Sequence, residues 1–262
     1  MINNKYTLMN YLGKGGTSKV FLAKDWMDNK WVIKIIRKDK KYSTSAGESI
    51  IRREHELLQK LNPHPNIINS YEMDIDGVAT MEDEYENVMY NVLEYAEHGP
   101  ISHFIRYTGS IEEEISRFFI AQVWNAVEYI HSQGYAHLDI KLENILLDNF
   151  FNIKLADMGA SVYVEGTSDC TDKRRGTLLY MAPEVIECAS GNCYDAKKAD
   201  IYSLGITFFV MLTGEFPNPH DFIKSSSTED SENSSHANCW WEAADDVKYR
   251  WNKLSFEAQE II

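Results

Sequence analysis

A stretch near the middle of the chain carries acid, base and amide side chains at close spacing. It reads His137-Leu138-Asp139-Ile140-Lys141-Leu142-Glu143-Asn144, and thirteen residues after Asn144 a second acid opens the turn Asp157-Met158-Gly159. A carboxylate can accept a proton, an ammonium group can neutralise negative charge, and carboxylate or amide oxygens suit hard cations. Because an isolated Asp, Lys or Asn is usually a surface residue, this chemistry needs support from the rest of the chain.

Further motifs occur on both sides of this stretch. Upstream lie Gly13-x-Gly15-x-x-Ser18-x-Val20, Trp31-Val32-Ile33-Lys34 and Glu54; downstream lie Gly176-Thr177-Leu178-Leu179-Tyr180-Met181-Ala182-Pro183-Glu184 and Asp200-Ile201-Tyr202-Ser203-Leu204-Gly205. A glycine-rich turn lets backbone N–H groups close over phosphates, but taken alone it is more typical of a plain hairpin. Lys34 faces inward by strand alternation, which is unlike a solvated lysine at a strand end.

Together these motifs resemble the protein kinase family. The stretch around Asp139 is similar to H-R-D-x-K-x-x-N, the turn at Asp157 to D-F-G, and the two downstream segments to G-T-x-x-Y-x-A-P-E and D-x-W-S-L-G. Seven features in the family's order, covering residues 6–214, leave no practical room for coincidence. The resemblance implies transfer of the γ-phosphoryl group of ATP, with Mg²⁺, to Ser or Thr hydroxyls of protein substrates.

The resemblance also assigns catalytic roles. Asp139 would accept and orient the substrate hydroxyl proton, and Lys141 would neutralise charge on the transferring phosphoryl group. The presence of Lys141 favours Ser/Thr over Tyr specificity. Thr177 would brace Asp139 and Lys141, while Asn144 and Asp157 would hold two Mg²⁺ ions.

A second group of residues would bind the nucleotide. Lys34 would contact the α- and β-phosphates and pair with Glu54, which the apolar stripe of its helix places on the buried side, in preference to Glu48 or Glu56. The segment Leu93-Glu94-Tyr95-Ala96 resembles the hinge, with Leu93 as gatekeeper and the backbone of Glu94 and Ala96 offered to adenine. The remaining expected nucleotide contacts are Leu12, Gly13, Lys14, Gly15, Gly16, Val20, Val32 and Leu146. The last three would enclose the adenine ring, and without nucleotide they are ordinary apolar side chains.

The first ninety-odd residues are rich in predicted strands. Alternation and β-branched content predict strands over Tyr6–Leu12, Val20–Ala23, Lys30–Ile36, Ile67–Met73 and Asn87–Leu93. A helix is predicted through Ile50–Leu61, where Pro63 and Pro65 stop it. The acidic segment Asp74–Glu86 is interpreted as a solvated excursion.

From Pro100 onward the pattern favours helices. A long amphipathic helix is predicted from Ile111 to near Gly134, a buried helix over Asp200–Thr213, and a late helix over Leu254–Ile261. Ser225–Asn238 is interpreted as a mobile insertion. These elements predict an α+β, bilobal fold with a small antiparallel β lobe and one helix (residues 1–96, binding ATP and ending in the hinge). A larger, mainly helical lobe follows (residues 97–262, for catalysis and substrate binding).

Charge and cysteine content restrict the function classes. The net charge is −14, from 26 basic and 40 acidic residues, which disfavours nucleic acid as a partner and favours protein substrates with basic residues near the acceptor. Glu143 resembles the glutamate that contacts substrate arginine in basophilic kinases; the alternative is a solvated side chain without effect on specificity. Cys188 and Cys193 are expected to be free thiols, which favours a reducing compartment. The absence of a signal-like or membrane-length apolar run predicts a cytoplasmic or nuclear protein without a membrane partner.

Four departures from the family pattern stand out. Leu138 replaces the usual Arg, Lys173 lies where an activating phosphothreonine often occurs, and Met158 replaces Phe. The family's last helix, and the Arg that pairs with the A-P-E glutamate, are expected to be missing, which would leave Glu184 without its partner. Two rival functions stay open: a pseudokinase that binds nucleotide or acts as a scaffold, and a small-molecule kinase. The peptide-docking segment before Glu184 argues against the latter.

Overall fold

A computed structural model of the chain describes residues 1–15, 18–37, 44–81, 84–164, 170–188, 192–217 and 245–261. The strands are β1 (Thr7–Lys14), β2 (Lys19–Lys24), β3 (Lys30–Arg37), β4 (Ser70–Met81), β5 (Glu84–Leu93), β6 (Gly99–Pro100), β7 (Tyr135–Ala136), β8 (Ile145–Leu147), β9 (Ile153–Leu155), β10 (Val162–Tyr163), β11 (Cys170–Thr171) and β12 (Tyr194–Asp195). The helices are α1 (Thr44–Leu61), α2 (Ile101–Thr108), α3 (Glu113–Ser132), α4 (Pro183–Ile186), α5 (Ala196–Thr213), α6 (Asp245–Asn252) and α7 (Phe256–Ile261).

Contacts divide the chain into two compact units. Residues 1–98 together with 148–159 form the first unit, and residues 99–147 together with 160–262 form the second. The division at residues 96 and 97 stays a prediction, but the grouping of 148–159 with the first unit was not foreseen. It places Asp157 in the same unit as Lys34.

The first unit is built on a five-stranded antiparallel sheet in the order β1-β2-β3-β5-β4. Strand alternation divides β3 between the two faces of this sheet. Ile33 and Ile35 enter a buried cluster with Tyr90 and Val92 of β5. Lys34 faces the opposite side, as predicted. The registry places Val20 directly opposite Lys34, so both side chains share that face.

Helix α1 covers the same face as Lys34. Its Ile51 packs with Ile36 and Met89 of the sheet in a buried cluster. Glu54 follows Ile51 by three residues and therefore projects from the same side of the helix. Glu54 is 3% exposed, which confirms that the predicted partner of Lys34 lies on the buried side of the helix.

The interpretation of Asp74–Glu86 as a solvated excursion is wrong. Most of this segment extends the β4–β5 hairpin, in which Val78 pairs with Asn87 and Ala79 with Glu86. The chain start supplies the reason, because Ile2 bridges to Ala79 and is fully buried with it. Acidic side chains on the other face of the strands hid the small apolar residues that bury the hairpin.

Helices dominate the second unit, in agreement with the sequence. Helix α5 is buried nearly all round, and the Asp195 carboxylate accepts a hydrogen bond from the Lys198 N–H at its start. Gly214 ends it in the left-handed region at φ 82°. Arg250 of α6 donates to the carbonyls of Thr213 and Gly109, at 2.9 and 3.1 Å, and so satisfies acceptors at the ends of α5 and α2.

The C-terminal part of the chain agrees with the sequence in one respect and changes one expectation. The late helix is present as α7. Glu184 lies exposed in α4, and no ion pair joins it to another described residue. An exposed carboxylate carries little desolvation cost, so an ion pair at Glu184 would contribute little to stability. The predicted mobile insertion, Ser225–Asn238, lies outside the described residues.

The prediction of a free thiol at Cys193 is wrong. Cys193 forms a disulfide with Cys170, whose Cα atom lies 5.6 Å away. The pairing of β11 with β12 brings the two cysteines together across 23 residues of sequence, which spacing alone does not reveal. Cys188 keeps its thiol, as expected. No described helix is both long and apolar enough to cross a bilayer.

Candidate functional site

Lys34 is the centre of a buried charge cluster in the first unit. Its Nζ donates to Glu54 Oε1 at 2.7 Å and to Asp157 Oδ1 at 2.9 Å. Burial alone would lower the pKa of Lys34, but the two carboxylates outweigh that effect and the pKa is raised. Lys34 is therefore a fixed cation, suited to hold phosphate oxygens.

Asp157 occupies a strained turn after β9. Its φ of 64° lies in the left-handed region, and the Gly159 N–H donates to Oδ1 at 3.4 Å. Met158 is 1% exposed, so it fills the apolar position expected for it in place of Phe. The Asp157 side chain keeps 44% exposure, which leaves its carboxylate accessible while Lys34 contacts it.

The hinge is anchored by a network that the sequence did not reveal. Glu94 Oε1 lies 2.7 Å from Lys154 Nζ, and Oε2 accepts from Asn69 Nδ2 at 2.9 Å. The Glu94 N–H donates to the Asn69 carbonyl at 2.9 Å, so adenine would contact Glu94 through its carbonyl. Lys154 belongs to no kinase motif, so no sequence signal singled it out. Its burial in β9 is the feature that identifies it.

Most of the other predicted nucleotide contacts belong to the first unit, on its five-stranded sheet or just after it. Val32 pairs with Leu93, the predicted gatekeeper, and shares the face of Lys34. Leu93 and Ala96 are buried, at 9% and 4% exposure. Leu12, Gly13 and Lys14 lie in β1, Val20 lies in β2, and Leu146 lies in β8 of the second unit.

The glycine-rich turn contains one close approach. The Gly15 N–H donates to the Ser18 carbonyl at 2.9 Å, and a Cβ on Gly15 would lie 2.7 Å from Ser18 Oγ. Ser18 stands where the family's glycine-rich loop usually has its third glycine, and it packs against Gly15 at 6% exposure. Gly16 lies outside the described residues.

The predicted catalytic side chains meet in the second unit. Asp139 Oδ1 accepts from Thr177 Oγ1 at 2.7 Å, and Oδ2 accepts from Lys141 Nζ at 2.7 Å. Lys141 also donates to Thr177 Oγ1 at 2.7 Å, which closes a triangle of hydrogen bonds. Asn144 Nδ2 donates to the carbonyl and to Oδ2 of Asp139, at 2.9 and 3.1 Å, so the amide oxygen is the end turned away from this carboxylate.

Asp200, in α5, supports the predicted catalytic loop, His137–Asn144. It is fully buried, and its carboxylate accepts the backbone N–H groups of His137 and Leu138, each at 2.7 Å. His131 Nε2 lies 2.8 Å from the same carboxylate. Leu138 is held at φ 63°, a conformation that an L-residue adopts only with such support. The motif around Asp200 was recognised in the sequence, but its positioning role was not.

Gly176 is required beside this loop. Its φ is 107°, and a Cβ there would come within 2.3 Å of the Leu138 carbonyl oxygen. Only glycine fits both constraints. Gly176 thus packs against the backbone of the catalytic loop and sets the position of the next residue, Thr177.

Two oxygen-bearing side chains fit the role of metal ligand. No group of three or more His, Cys, Asp or Glu side chains within the described residues is arranged to hold a metal ion alone. Mg²⁺ usually takes one or two protein oxygens together with phosphate oxygens and waters. The Asp157 carboxylate in the first unit and the Asn144 amide oxygen in the second are each suited to contribute an oxygen ligand to a hard cation.

The five-stranded sheet with its buried Lys34–Glu54 pair, and the helical unit with its Asp139 cluster, define the protein kinase fold. Residues 6–262 match the family model of the protein kinase domain. The chain belongs to the protein kinase family.

The chain is also similar to several named protein kinases. The chain is 34% identical over 222 residues to the serine/threonine-protein kinase cds1 of Schizosaccharomyces pombe, covering 82% of this chain and 46% of that protein. It is 37% identical over 222 residues to CBL-interacting protein kinase 31 of Oryza sativa subsp. japonica, covering 84% and 46%. With the serine/threonine-protein kinase kin-29 of Caenorhabditis elegans it shares 33% over 220 residues, covering 83% and 25%. The chain thus spans less than half the length of these relatives.

Proposed function

We propose that the chain catalyses ATP- and Mg²⁺-dependent phosphorylation of Ser and Thr hydroxyls in protein substrates. The observation that carries this proposal is the closed triangle of Asp139, Lys141 and Thr177, at 2.7 Å on each side. Three donors from Lys141, Thr177 and Asn144 converge on one carboxylate and hold it in a single orientation. Such preorganisation suits a group that must orient a hydroxyl for transfer.

The residues divide the work of the reaction. Asp139 orients the substrate hydroxyl and accepts its proton, while the Lys141 side chain beside it stabilises negative charge on the transferring group. In the first unit Lys34, fixed by Glu54, holds phosphate oxygens. Bound Mg-ATP supplies the phosphoryl group, and the metal neutralises charge on its oxygens.

A pseudokinase would have little reason to keep these contacts. Lys34, Asp139 and Asp157 are all present, and each makes the ion pair or hydrogen bond that its proposed role needs. These contacts support catalysis over a scaffold role.

The proposed substrate class is peptide with basic residues before the acceptor. Glu143 is exposed, and its Oε2 lies 3.5 Å from the Tyr180 hydroxyl, which keeps the carboxylate near the segment that precedes α4. The charge of −14 steers cationic peptides toward the protein. A positional peptide library tests this, with Glu143→Gln as the variant; equal phosphorylation of peptides with and without Arg or Lys would reject it.

The phosphotransfer itself is tested with radiolabelled ATP, Mg²⁺ and a generic basic peptide. Incorporation into Ser or Thr that disappears in Asp139→Asn supports the proposal. Nucleotide binding without transfer would favour the pseudokinase instead. Transfer to a small molecule but to no peptide would favour the small-molecule kinase.

A further inference from the structure

The Cys170–Cys193 disulfide joins the two flanks of the segment that carries Thr177. Cys170 begins β11 and Cys193 immediately precedes β12, and the two strands pair with Thr171 opposite Tyr194. Thr177 lies inside the loop that the disulfide closes. The bond therefore limits how far the Thr177 segment can move from β12.

Non-covalent contacts also hold the Thr177 segment against β12. The Tyr194 hydroxyl donates to the Lys173 carbonyl at 2.7 Å, and burial raises the pKa of Tyr194 to about 12, so this donor keeps its proton. Tyr194 is 4% exposed and packs with Leu138 and Ala182 in one buried cluster. Tyr194, the residue that follows Cys193, thus belongs to the core of the second unit.

Both chain segments that the disulfide joins are connected to the catalytic loop. On one side, Gly176 packs on the Leu138 carbonyl and Thr177 follows with its hydrogen bonds to Asp139 and Lys141. On the other, β12 runs into α5, in which Asp200 holds the Leu138 N–H at 2.7 Å. A change at the disulfide can reach Asp139 through either connection.

This chain has no arginine where the family uses one to hold a loop phosphate. Leu138 offers no side-chain donor, so a charge-assisted contact with a phosphate cannot form there. A covalent bond between Cys170 and Cys193 restrains the same segment without a phosphate. The disulfide thus supplies a constraint on this segment that does not depend on a phosphate.

We infer that the Cys170–Cys193 disulfide is a positioning element for phosphoryl transfer, which holds Thr177 against Asp139 and Lys141 and makes activity depend on oxidation. The inference rests on the proposed kinase function. A dithiol breaks the S–S bond, Cys170 and Cys193 each gain an S–H bond, and the dithiol is oxidised to its own disulfide. Reoxidation of the two thiols by a disulfide such as oxidised glutathione reverses the step.

The experiment compares the purified chain before and after dithiothreitol, with thiol state read by alkylation and mass spectrometry. Reduction is expected to lower kcat/KM for a peptide at least about tenfold, the effect of a misplaced catalytic contact. Reoxidation with oxidised glutathione restores it. The Kd for Mg-ATP stays within about twofold, because most of the expected nucleotide contacts, Lys34 and Asp157 among them, belong to the first unit, while Asn144 and Leu146 lie in the second.

Two variants separate the disulfide from general thiol effects. C170S/C193S is expected to show the low activity of the reduced protein with and without dithiothreitol. C188S is the matched control: its cysteine lies near the same strands, with Sγ 3.4 Å from the Asn192 carbonyl, but outside the disulfide. It is expected to respond to dithiothreitol as the parent chain does.

A readout that does not need activity keeps the inference separate from the proposed function. Lys173, Arg174 and Arg175 are trypsin sites within the closed loop, and cleavage there should become at least about fivefold faster on reduction. If no phosphotransfer is found but cleavage responds, the proposed function fails and the positioning of the segment stands. The inference is overturned if Cys170 and Cys193 are alkylated without reductant. It is also overturned if verified reduction leaves kcat/KM and cleavage unchanged, or if C170S/C193S keeps full activity.

Discussion

Thr177 Oγ1 donates to Asp139 Oδ1 at 2.7 Å while it accepts a hydrogen bond from Lys141 Nζ at the same distance. One hydroxyl therefore orients both the group that accepts a proton and the group that neutralises charge. A methyl in its place would leave Asp139 with one donor fewer and Lys141 with one acceptor fewer.

Thr177→Val is expected to lower kcat by about 10- to 100-fold, the range for losing a hydrogen bond to a charged group. Thr177→Ser keeps the hydroxyl and should retain most activity. Steady-state kinetics with saturating ATP and peptide measures both variants. Equal activity of the two would show that the hydroxyl has no part in the reaction.

Asp139→Asn should lower kcat at least about 10²-fold, because an amide cannot accept the hydroxyl proton. Binding of ATP, measured by calorimetry, should be preserved, since Lys34 and its partners lie in the first unit. A variant that keeps more than about half of the activity would contradict the assignment of Asp139 as the general base.

Asp157→Ala should abolish the Mg²⁺-dependent part of nucleotide binding, because the metal loses its carboxylate and Lys34 loses one of two partners. Thermal-shift titration with ATP, with and without Mg²⁺, measures this directly. Asp76→Ala, an exposed acid of β4, is the matched control and should bind like the parent chain. An undiminished Mg-ATP shift in Asp157→Ala would reject the metal role.

Lys154→Met should destabilise the first unit by about 1–3 kcal/mol, because Glu94 loses a charged partner in a site where the two side chains are 20% and 11% exposed. Lys154→Arg keeps the charge and should lose less. Denaturant unfolding gives the free energies. Equal stability of Lys154→Met and the parent chain would mean that the 2.7 Å contact contributes nothing.

Alternation along β3 and helical spacing along α1 predicted the inward face of Lys34 and the choice of Glu54. Both depend on contacts that local periodicity determines, which is why they could be read from the chain. Strands at the base of the β4–β5 hairpin were predicted, but its extension through Asp74–Glu86 could not be, since the residue that buries Ala79 is Ile2, more than seventy positions away. Long-range partners of this kind leave no periodic signal.

The same limit applies to the site. Motif spacing predicted Asp139, Lys141, Asn144 and Thr177, and the structure brings them together. Motif spacing could not predict Lys154, whose partner Glu94 is distant in sequence. Nor could spacing predict the Cys170–Cys193 bond, which depends on the pairing of two short strands.

The last prediction is that activity does not require phosphorylation of the segment between Met158 and Glu184. In the family, the arginine beside the catalytic aspartate holds a loop phosphate, and that contact orders the loop. Here Leu138 stands in that position, buried at 6% exposure with its N–H bound by Asp200, so it offers no donor to a phosphate.

Phosphatase treatment should therefore change kcat/KM by less than about twofold. Of Thr167, Ser168 and Thr171, only Thr171 lies within the described residues. The opposing possibility is that Lys173, Arg174 and Arg175 form a substitute phosphate pocket. An alanine replacement of Lys173 and Arg174 together distinguishes the two, because both side chains are exposed and can be removed without loss of buried contacts. A fall of about tenfold or more on dephosphorylation, matched by the same fall in the double alanine variant, would show that a loop phosphate held by these basic residues is needed.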